Sequence, residues 1–207
     1  MNRNMAYYAY MLQSSVDFDL VYIGMTNKEP AERLRRHNGE LRGGAAATRS
    51  NRPWRIVCVL GPIRSKMDAL AVEFAWQHPR MPPRSPIVAR RGLLPKSRVF
   101  TELRRKAKLL DDSADTKIGR KLRILATMMT ITYFSHDAAQ RGSPLRLYWS
   151  DDRHRRTTLE FAKEHSRLLG WDIPLAITAS RSYIVPDEAV IISDDDKGGE
   201  VIDITRD

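Results

Sequence analysis

The sequence predicts a mixed α/β fold: a small antiparallel sheet flanked by helices, followed by a helical region. Three patterns carry this. Two aromatic and aliphatic runs, Tyr7–Leu12 and Leu20–Met25, flank the short polar stretch Gln13–Asp19, as the arms of a hairpin flank its turn. A third such run, Trp54–Leu60, is bracketed by helical signals. Beyond residue 97 the apolar residues recur at helical spacing in basic, amphipathic stretches.

Each element has a local reason. Pro30 suits the first turn of a helix that runs to Asn38, where Asn38-Gly39 ends it. Residues 39–52 form a Gly/Ala/Ser/Arg loop. Ser65-Lys66-Met67-Asp68 reads as a capping box that starts a second helix, stopped after Gln77 by His78-Pro79. Pro82-Pro83 and Pro86 mark a boundary, so a first domain is expected over 1–85. A basic helical linker region is expected over 97–170. It holds helices over Val99–Leu110, Lys117–Phe134 and Thr158–Leu169, and a short strand over Leu145–Trp149. After Pro174 the pattern breaks. The segment 171–207 is expected to be an acidic tail with two β-branched runs, Val190–Ile192 and Val201–Ile204, around an Asp/Gly-rich spacer.

Charge is unevenly placed along the 207 residues. Residues 1–100 carry 17 Lys and Arg against 7 Asp and Glu; residues 171–207 carry 3 against 9. A basic body suggests a polyanionic partner, and an acidic tail something different. Cys58 is the one cysteine, so an internal disulfide and a cysteine-based zinc site are both excluded within this sequence, and a reducing compartment is expected. Met1–Tyr10 has no apolar signal core, and the longest uncharged stretch, Ile124–Phe134, is too short to span a bilayer. An intracellular protein with no membrane partner is the expectation.

The chemistry concentrates in the first 80 residues. Met67, Leu70, Ala71, Val72, Phe74, Ala75 and Trp76 make the second helix apolar nearly all round, yet Glu73 sits among them. A buried carboxylate needs a cation, either an arginine or a metal ion. Arg33 and His37, four apart, share one helix face, whereas Arg35 and Arg36 point elsewhere, as a solvated, phosphate-facing surface would. Tyr10 and Tyr22 fall mid-strand, where tyrosines ordinarily pack.

Taken together, Tyr8-Ala9-Tyr10, Tyr22-Ile23-Gly24, Arg33 with His37, and Glu73 resemble, in that order, the GIY-YIG nuclease superfamily. The connecting segments sharpen the likeness: His37-Asn38-Gly39, Gly43-Gly44-Ala45 with Thr48, Arg52-Pro53-Trp54, and Glu73-Phe74-Ala75-Trp76-Gln77-His78-Pro79. They are similar to the catalytic subunits of eukaryotic Slx-type structure-specific endonucleases. Weaker similarity continues at Lys121–Leu125 and Pro144–Trp149. Two departures stand out. The first motif lacks its glycine and isoleucine, and the family's zinc-binding RING module, which contacts a scaffold subunit, has no counterpart in this sequence.

The resemblance implies a GIY-YIG fold and hydrolysis of phosphodiester bonds in branched DNA (flaps, forks, Holliday junctions) during nuclear repair and recombination. It implies that Glu73 holds one Mg²⁺ or Mn²⁺, that Arg33 clamps the scissile phosphate, that Tyr22 or Tyr10 orients or deprotonates the water, and that His37 is the candidate proton acceptor. Arg35, Arg36, Arg42, Arg49 and Arg52, with the basic helices, would track phosphates on adjoining arms. The alternatives are a GIY-YIG nuclease with sequence preference and an inactive DNA-binding adaptor. In the tail, Val190–Ile192 before Asp194-Asp195-Asp196, and Glu200 before Val201–Ile204, resemble SUMO-interacting motifs, which add a strand to a sheet edge. The competing expectations are a hairpin between these two runs and an acidic flap over the basic groove.

Overall fold

A computed structural model describes residues 6–63, 65–79, 116–129, 146–164, 177–178 and 201–202. β1 (Tyr7–Ser14) and β2 (Val21–Thr26) form the expected antiparallel hairpin, with Tyr10 opposite Gly24 and Leu12 opposite Tyr22. Short polar side chains close its turn, because they can accept the backbone N–H groups that no strand partner reaches. Ser14 Oγ accepts from Val16 N and Asp17 N, both at 3.0 Å, and Asp17 Oδ1 from Asp19 N at 3.0 Å.

β3 (Trp54–Ile63) pairs with the other side of β1. Met11 faces Cys58 but Leu12 faces Ile56, so Val57 is an extra residue in a bulge. The bulge breaks the alternation of faces. Val57 and the adjacent Cys58 both enter one core, while Ile56 and Val59 enter the other. β4 (Arg146–Trp149) adds to the free edge of β3, with Cys58 opposite Trp149 and Leu60 opposite Leu147, giving the order β2-β1-β3-β4.

Helices cover both faces. α1 (Pro30–Asn38) begins with proline and ends at Gly39, whose φ of 86° is left-handed and cheap for glycine alone. Its Leu34 packs with Tyr10, Leu12, Trp54, Ile56 and Val59. α2 (Lys66–Gln77) is capped by Ser65, whose Oγ accepts from Met67 N at 3.2 Å and Asp68 N at 3.4 Å. Together with α3 (Lys117–Met129) it buries the opposite face, where Phe74, Trp76, Leu122 and Leu125 meet Met11 and Leu60. The two helices clasp each other: Trp76 Nε1 donates to the Lys121 carbonyl at 2.8 Å, and Lys121 Nζ donates to the Gln77 carbonyl at 2.8 Å. Burial, reinforced by the Arg120 charge, lowers the Lys121 pKa to about 8.

Two expectations need adjustment. The region read as a helical linker supplies a strand of the sheet and a helix of its core, so α3 and β4 belong to the same body as the hairpin. α4 (Asp152–Glu164) begins six residues before the expected Thr158. Asp151 Oδ1 accepts from Arg153 N at 2.7 Å, and Asp152 pairs with Arg155 at 2.7 Å and Arg156 at 3.0 Å, so polar contacts build turns that apolar periodicity does not show. In the tail, β6 (Val201–Ile202) pairs with β5 (Ile177–Thr178). The expected helix at Val99–Leu110, the run Val190–Ile192, and residues 130–134 and 165–169 lie outside the described residues. Among the described residues no helix is long and apolar enough to cross a membrane.

A shared core has a measurable consequence. Leu122 is 1% exposed on α3, and Leu122→Ala is expected to destabilise the whole β1–β3 sheet by about 2–5 kcal/mol, read as a lower urea midpoint in one cooperative transition. A separate early transition that leaves the sheet's midpoint unchanged would show that α3 is an independent appendage.

Candidate active site

The site grows from the middle of β1. Tyr10 points to the α1 face and is 1% exposed. Tyr22 is its diagonal neighbour on β2, half-buried, with ring centroids 6.3 Å apart. Gly24, directly opposite Tyr10, is what lets them close in. A Cβ there would lie 2.6 Å from the Tyr10 hydroxyl and 2.8 Å from Tyr22 Cε1. The glycine of Tyr22-Ile23-Gly24 is thus a spatial requirement of the two rings.

α1 brings Arg33 and His37 over these tyrosines. His37 is fully buried, and its Nε2 lies 2.8 Å from the Tyr10 hydroxyl while Nδ1 lies 2.7 Å from Thr48 Oγ. Its ring also sits 4.9 Å from that of Tyr22. Arg33 donates from Nε to the Tyr10 oxygen at 3.2 Å and from Nη1 to the Gly43 carbonyl at 2.9 Å. A guanidinium carries five N–H donors. Two are engaged here, and the others have no hydrogen-bond partner among the described residues.

The loop after α1 is folded tightly onto it. Gly44 lies so close to the Arg36 carbonyl that a Cβ would overlap it. Asn38 clamps Trp54, accepting from its N at 2.7 Å and donating to its carbonyl at 3.1 Å. Trp54 Nε1 in turn donates to the Thr48 carbonyl at 3.1 Å.

Glu73 approaches from α2 and is 9% exposed. Gln77, one turn on, donates to Glu73 Oε1 at 3.2 Å and to the Ile23 carbonyl of β2 at 2.8 Å, which ties the carboxylate to the strand that carries Tyr22. Electrostatics follow from this packing. Burial raises the Tyr10 pKa well above its ordinary value, and the charges of Tyr22 and Glu73 add to the rise against the pull of Arg33. Burial, with the Arg33 and Arg52 charges, pushes His37 down to about 4, so its imidazole is neutral at neutral pH. His37 thus stands 2.8 Å from the Tyr10 hydroxyl as a neutral, weak base.

The five expected arginines divide. Arg35, Arg42 and Arg49 are exposed, Arg35 beside Glu40 at 3.0 Å. Arg36 is braced by Glu32 at 2.7 Å and by the Arg42 carbonyl at 2.5 Å. Arg52 is turned inward: its Nε donates to the His37 carbonyl at 2.7 Å and its guanidinium lies against Gly39, so it secures the end of α1. Sequence reasoning missed two lysines. Lys28 and Lys66 line, with Arg33, Arg36 and Thr26, an open cleft of about 470 Å³. Each sits just before or at the start of a helix, the one hint the sequence offers. Thr48 and Gln77 were also missed as partners, because only the fold brings them to His37 and Glu73.

No group of three or more His, Cys, Asp or Glu side chains gathers among the described residues. A single buried carboxylate fits a hard cation that keeps most of its waters, and does not fit a cage built wholly of side chains. Glu73 is therefore a suitable ligand for Mg²⁺ or Mn²⁺.

The short antiparallel sheet thus carries a tyrosine pair across a glycine, with an arginine on the facing helix and a buried acid on the next. Residues 6–83 match the family described as the GIY-YIG catalytic domain. The chain is similar to the structure-specific endonuclease subunit slx1 of Schizosaccharomyces japonicus, 50% identical over 60 residues, covering 29% of this chain and 22% of that one. It is also similar to the subunit of the same name from Aspergillus niger, 44% identical over 84 residues (39% of this chain, 20% of that one). With the Schizosaccharomyces pombe subunit it shares 43% over 74 residues (35% and 27%). The chain spans about a quarter or less of the length of the relatives it matches.

Neutral His37 makes stability depend on pH. The unfolded imidazole binds a proton near ~6.5 and the folded one near about 4, so the unfolded state holds more protons between these values. Stability should be complete above pH ~6.5 and fall as pH drops to about 4, by up to ~3 kcal/mol, with buried His154 adding in the same direction. Urea unfolding at several pH values should show this slope, and His37→Gln should flatten most of it. An equal slope in both proteins would mean that folding leaves the His37 pKa at its unfolded value.

Proposed function

We propose that this chain is a metal-dependent, structure-specific DNA endonuclease that hydrolyses phosphodiester bonds near the junctions of branched DNA. One observation carries the reading. Arg33 is held by Tyr10 and Gly43 and lines an open cleft with Lys28, Arg36 and Lys66. A planar guanidinium fixed at one end and open at the other suits a phosphate, which it can bind through parallel hydrogen bonds. Glu73 on α2 would hold the cation. When bound, Mg²⁺ or Mn²⁺ would stabilise the leaving 3′ oxygen and the charge gathering on the phosphate.

The two tyrosines separate in role. Tyr10 is buried and its phenol firmly protonated, so it serves as the rest on which Arg33 is set. Tyr22 is half-buried, and its hydroxyl would orient the water that attacks in line. Arg35, Arg42 and Arg49 are exposed around the loop and would follow the backbone of adjoining arms, a contact that ignores base sequence. The relatives are named as subunits of structure-specific endonucleases. On that ground this chain would also act with a scaffold partner in nuclear DNA repair. The tail would dock on SUMO through Val190–Ile192 and Val201–Ile204; Val201–Ile202 is paired with Ile177–Thr178 along one side, so the added strand would lie along the other.

Cleavage of 5′ flaps, forks, Holliday junctions and linear duplex with Mg²⁺ or Mn²⁺ tests the reading. Branched substrates should be cut in preference to linear duplex. Glu73→Gln and Arg33→Ala should each lower the rate by about 10²–10³ or more while leaving DNA affinity within a few fold. Metal-dependent cutting of a flap by Glu73→Gln at the wild-type rate would remove Glu73 from the site.

A further inference from the structure

The protons of the buried network can be assigned by elimination. The Tyr10 hydroxyl has two partners, Arg33 Nε and His37 Nε2. A guanidinium nitrogen only donates. The buried phenol must therefore direct its own proton to His37 Nε2, which has to be bare. A neutral imidazole carries one proton, so His37 carries it on Nδ1 and donates it to Thr48 Oγ, 2.7 Å away. Thr48 has its own outlet: its hydroxyl donates to the Ala45 carbonyl at 3.0 Å within the 3₁₀ turn Ala46–Thr48. Every donor in the chain then meets an acceptor. The reverse assignment fails. If Thr48 donated to Nδ1, Nε2 would carry the proton, and the Tyr10 oxygen would face two donors with its own hydrogen left without an acceptor at 1% exposure.

We propose that Thr48 is a positioning residue: by accepting the Nδ1 proton it fixes His37 as the Nδ1–H tautomer, which turns the Tyr10 hydroxyl so that its lone pair, not its proton, faces Arg33 and aims the guanidinium at the phosphate. This rests on the nuclease reading for the phosphate, and on hydrogen bonding alone for the tautomer. Thr48 is built for the task. It is fully buried, and its carbonyl is held by Trp54 Nε1 at 3.1 Å, so the hydroxyl cannot swing away. The same loop also holds the far end of Arg33 through the Gly43 carbonyl. The loop thus sets the arginine from both sides: directly at Nη1, and at Nε through Thr48, His37 and Tyr10.

Side-chain ¹⁵N NMR of the histidines in the full chain, without DNA, reads the tautomer. Wild type should show His37 with Nδ1 protonated and Nε2 bare. Thr48→Val, which keeps shape and removes the acceptor, should shift His37 toward the Nε2–H form or a mixture. It should also lower kcat on a 5′ flap by about 10–100-fold, the range for groups that orient an active residue, with KM changed by less than about twofold. Thr48→Ser should restore both tautomer and rate. An Nε2–H imidazole in wild type would overturn the proposal, as would a Thr48→Val protein with unchanged tautomer and kcat. A wild-type chain with the expected tautomer that cuts no DNA would overturn the nuclease reading, and with it the aiming role of Thr48.

Discussion

A phenol buried away from water must give its proton to something, and at Tyr10 the only acceptor among its partners in the described residues is His37. Much of the domain's geometry follows from meeting that demand. β1 has to present Tyr10 to the face that α1 covers. Gly24 has to be bare so that Tyr22 can close beside it. α1 has to end where His37 reaches the sheet, and the left-handed Gly39 lets the chain turn there while Arg52 holds the His37 carbonyl. The loop must fold back far enough for Thr48 to meet the other side of the ring. An unmet polar atom at this depth would cost about 1–3 kcal/mol, enough to favour this one arrangement over slipped alternatives.

The opposite face of the sheet solves a different problem. Glu73 lies in a helix apolar on nearly every side, and its position is secured from several directions. Gln77 bridges it to the backbone of β2. The helix is anchored at its start by Ser65 and at its end by Lys121 of α3. Trp76 and Lys121 exchange hydrogen bonds, so a shift of α3 would be felt at the carboxylate. This is the physical reason that a helix and strand far along the chain belong to the site's support.

How much of this could be read beforehand depended on range. The hairpin, α1 and α2 were legible because their signals are local: alternating aromatic residues, Pro30 at a helix start, Asn38-Gly39 at its end, Ser65 as cap. Glu73 stood out as a charge in an otherwise apolar helix, and Tyr10, Arg33 and His37 through the family likeness. The docking of β4 on β3 was not legible, because an edge strand carries no mark of its partner and Leu147 meets Leu60 across more than 80 residues. The bulge at Val57 was equally silent. The early start of α4 rests on charged pairs, which apolar spacing does not register. The weakness of His37 as a base was hidden too, since it comes from burial beside Arg33 and Arg52 and not from its neighbours in sequence.

Tyr10 and Tyr22 look interchangeable as letters, yet the fold makes them different tools. One is sealed beneath Arg33 and within hydrogen-bond reach of His37, and the other is only half-buried. The central claim is that Tyr10 acts only through the orientation of Arg33. A double-mutant cycle of Tyr10→Phe and Arg33→Ala, followed by single-turnover cleavage of a 5′ flap, tests it most directly. Tyr10→Phe should slow cleavage in the wild-type background and add almost nothing once Arg33 is alanine. Penalties that multiply independently would contradict the claim and give the Tyr10 hydroxyl a part in the chemistry of its own.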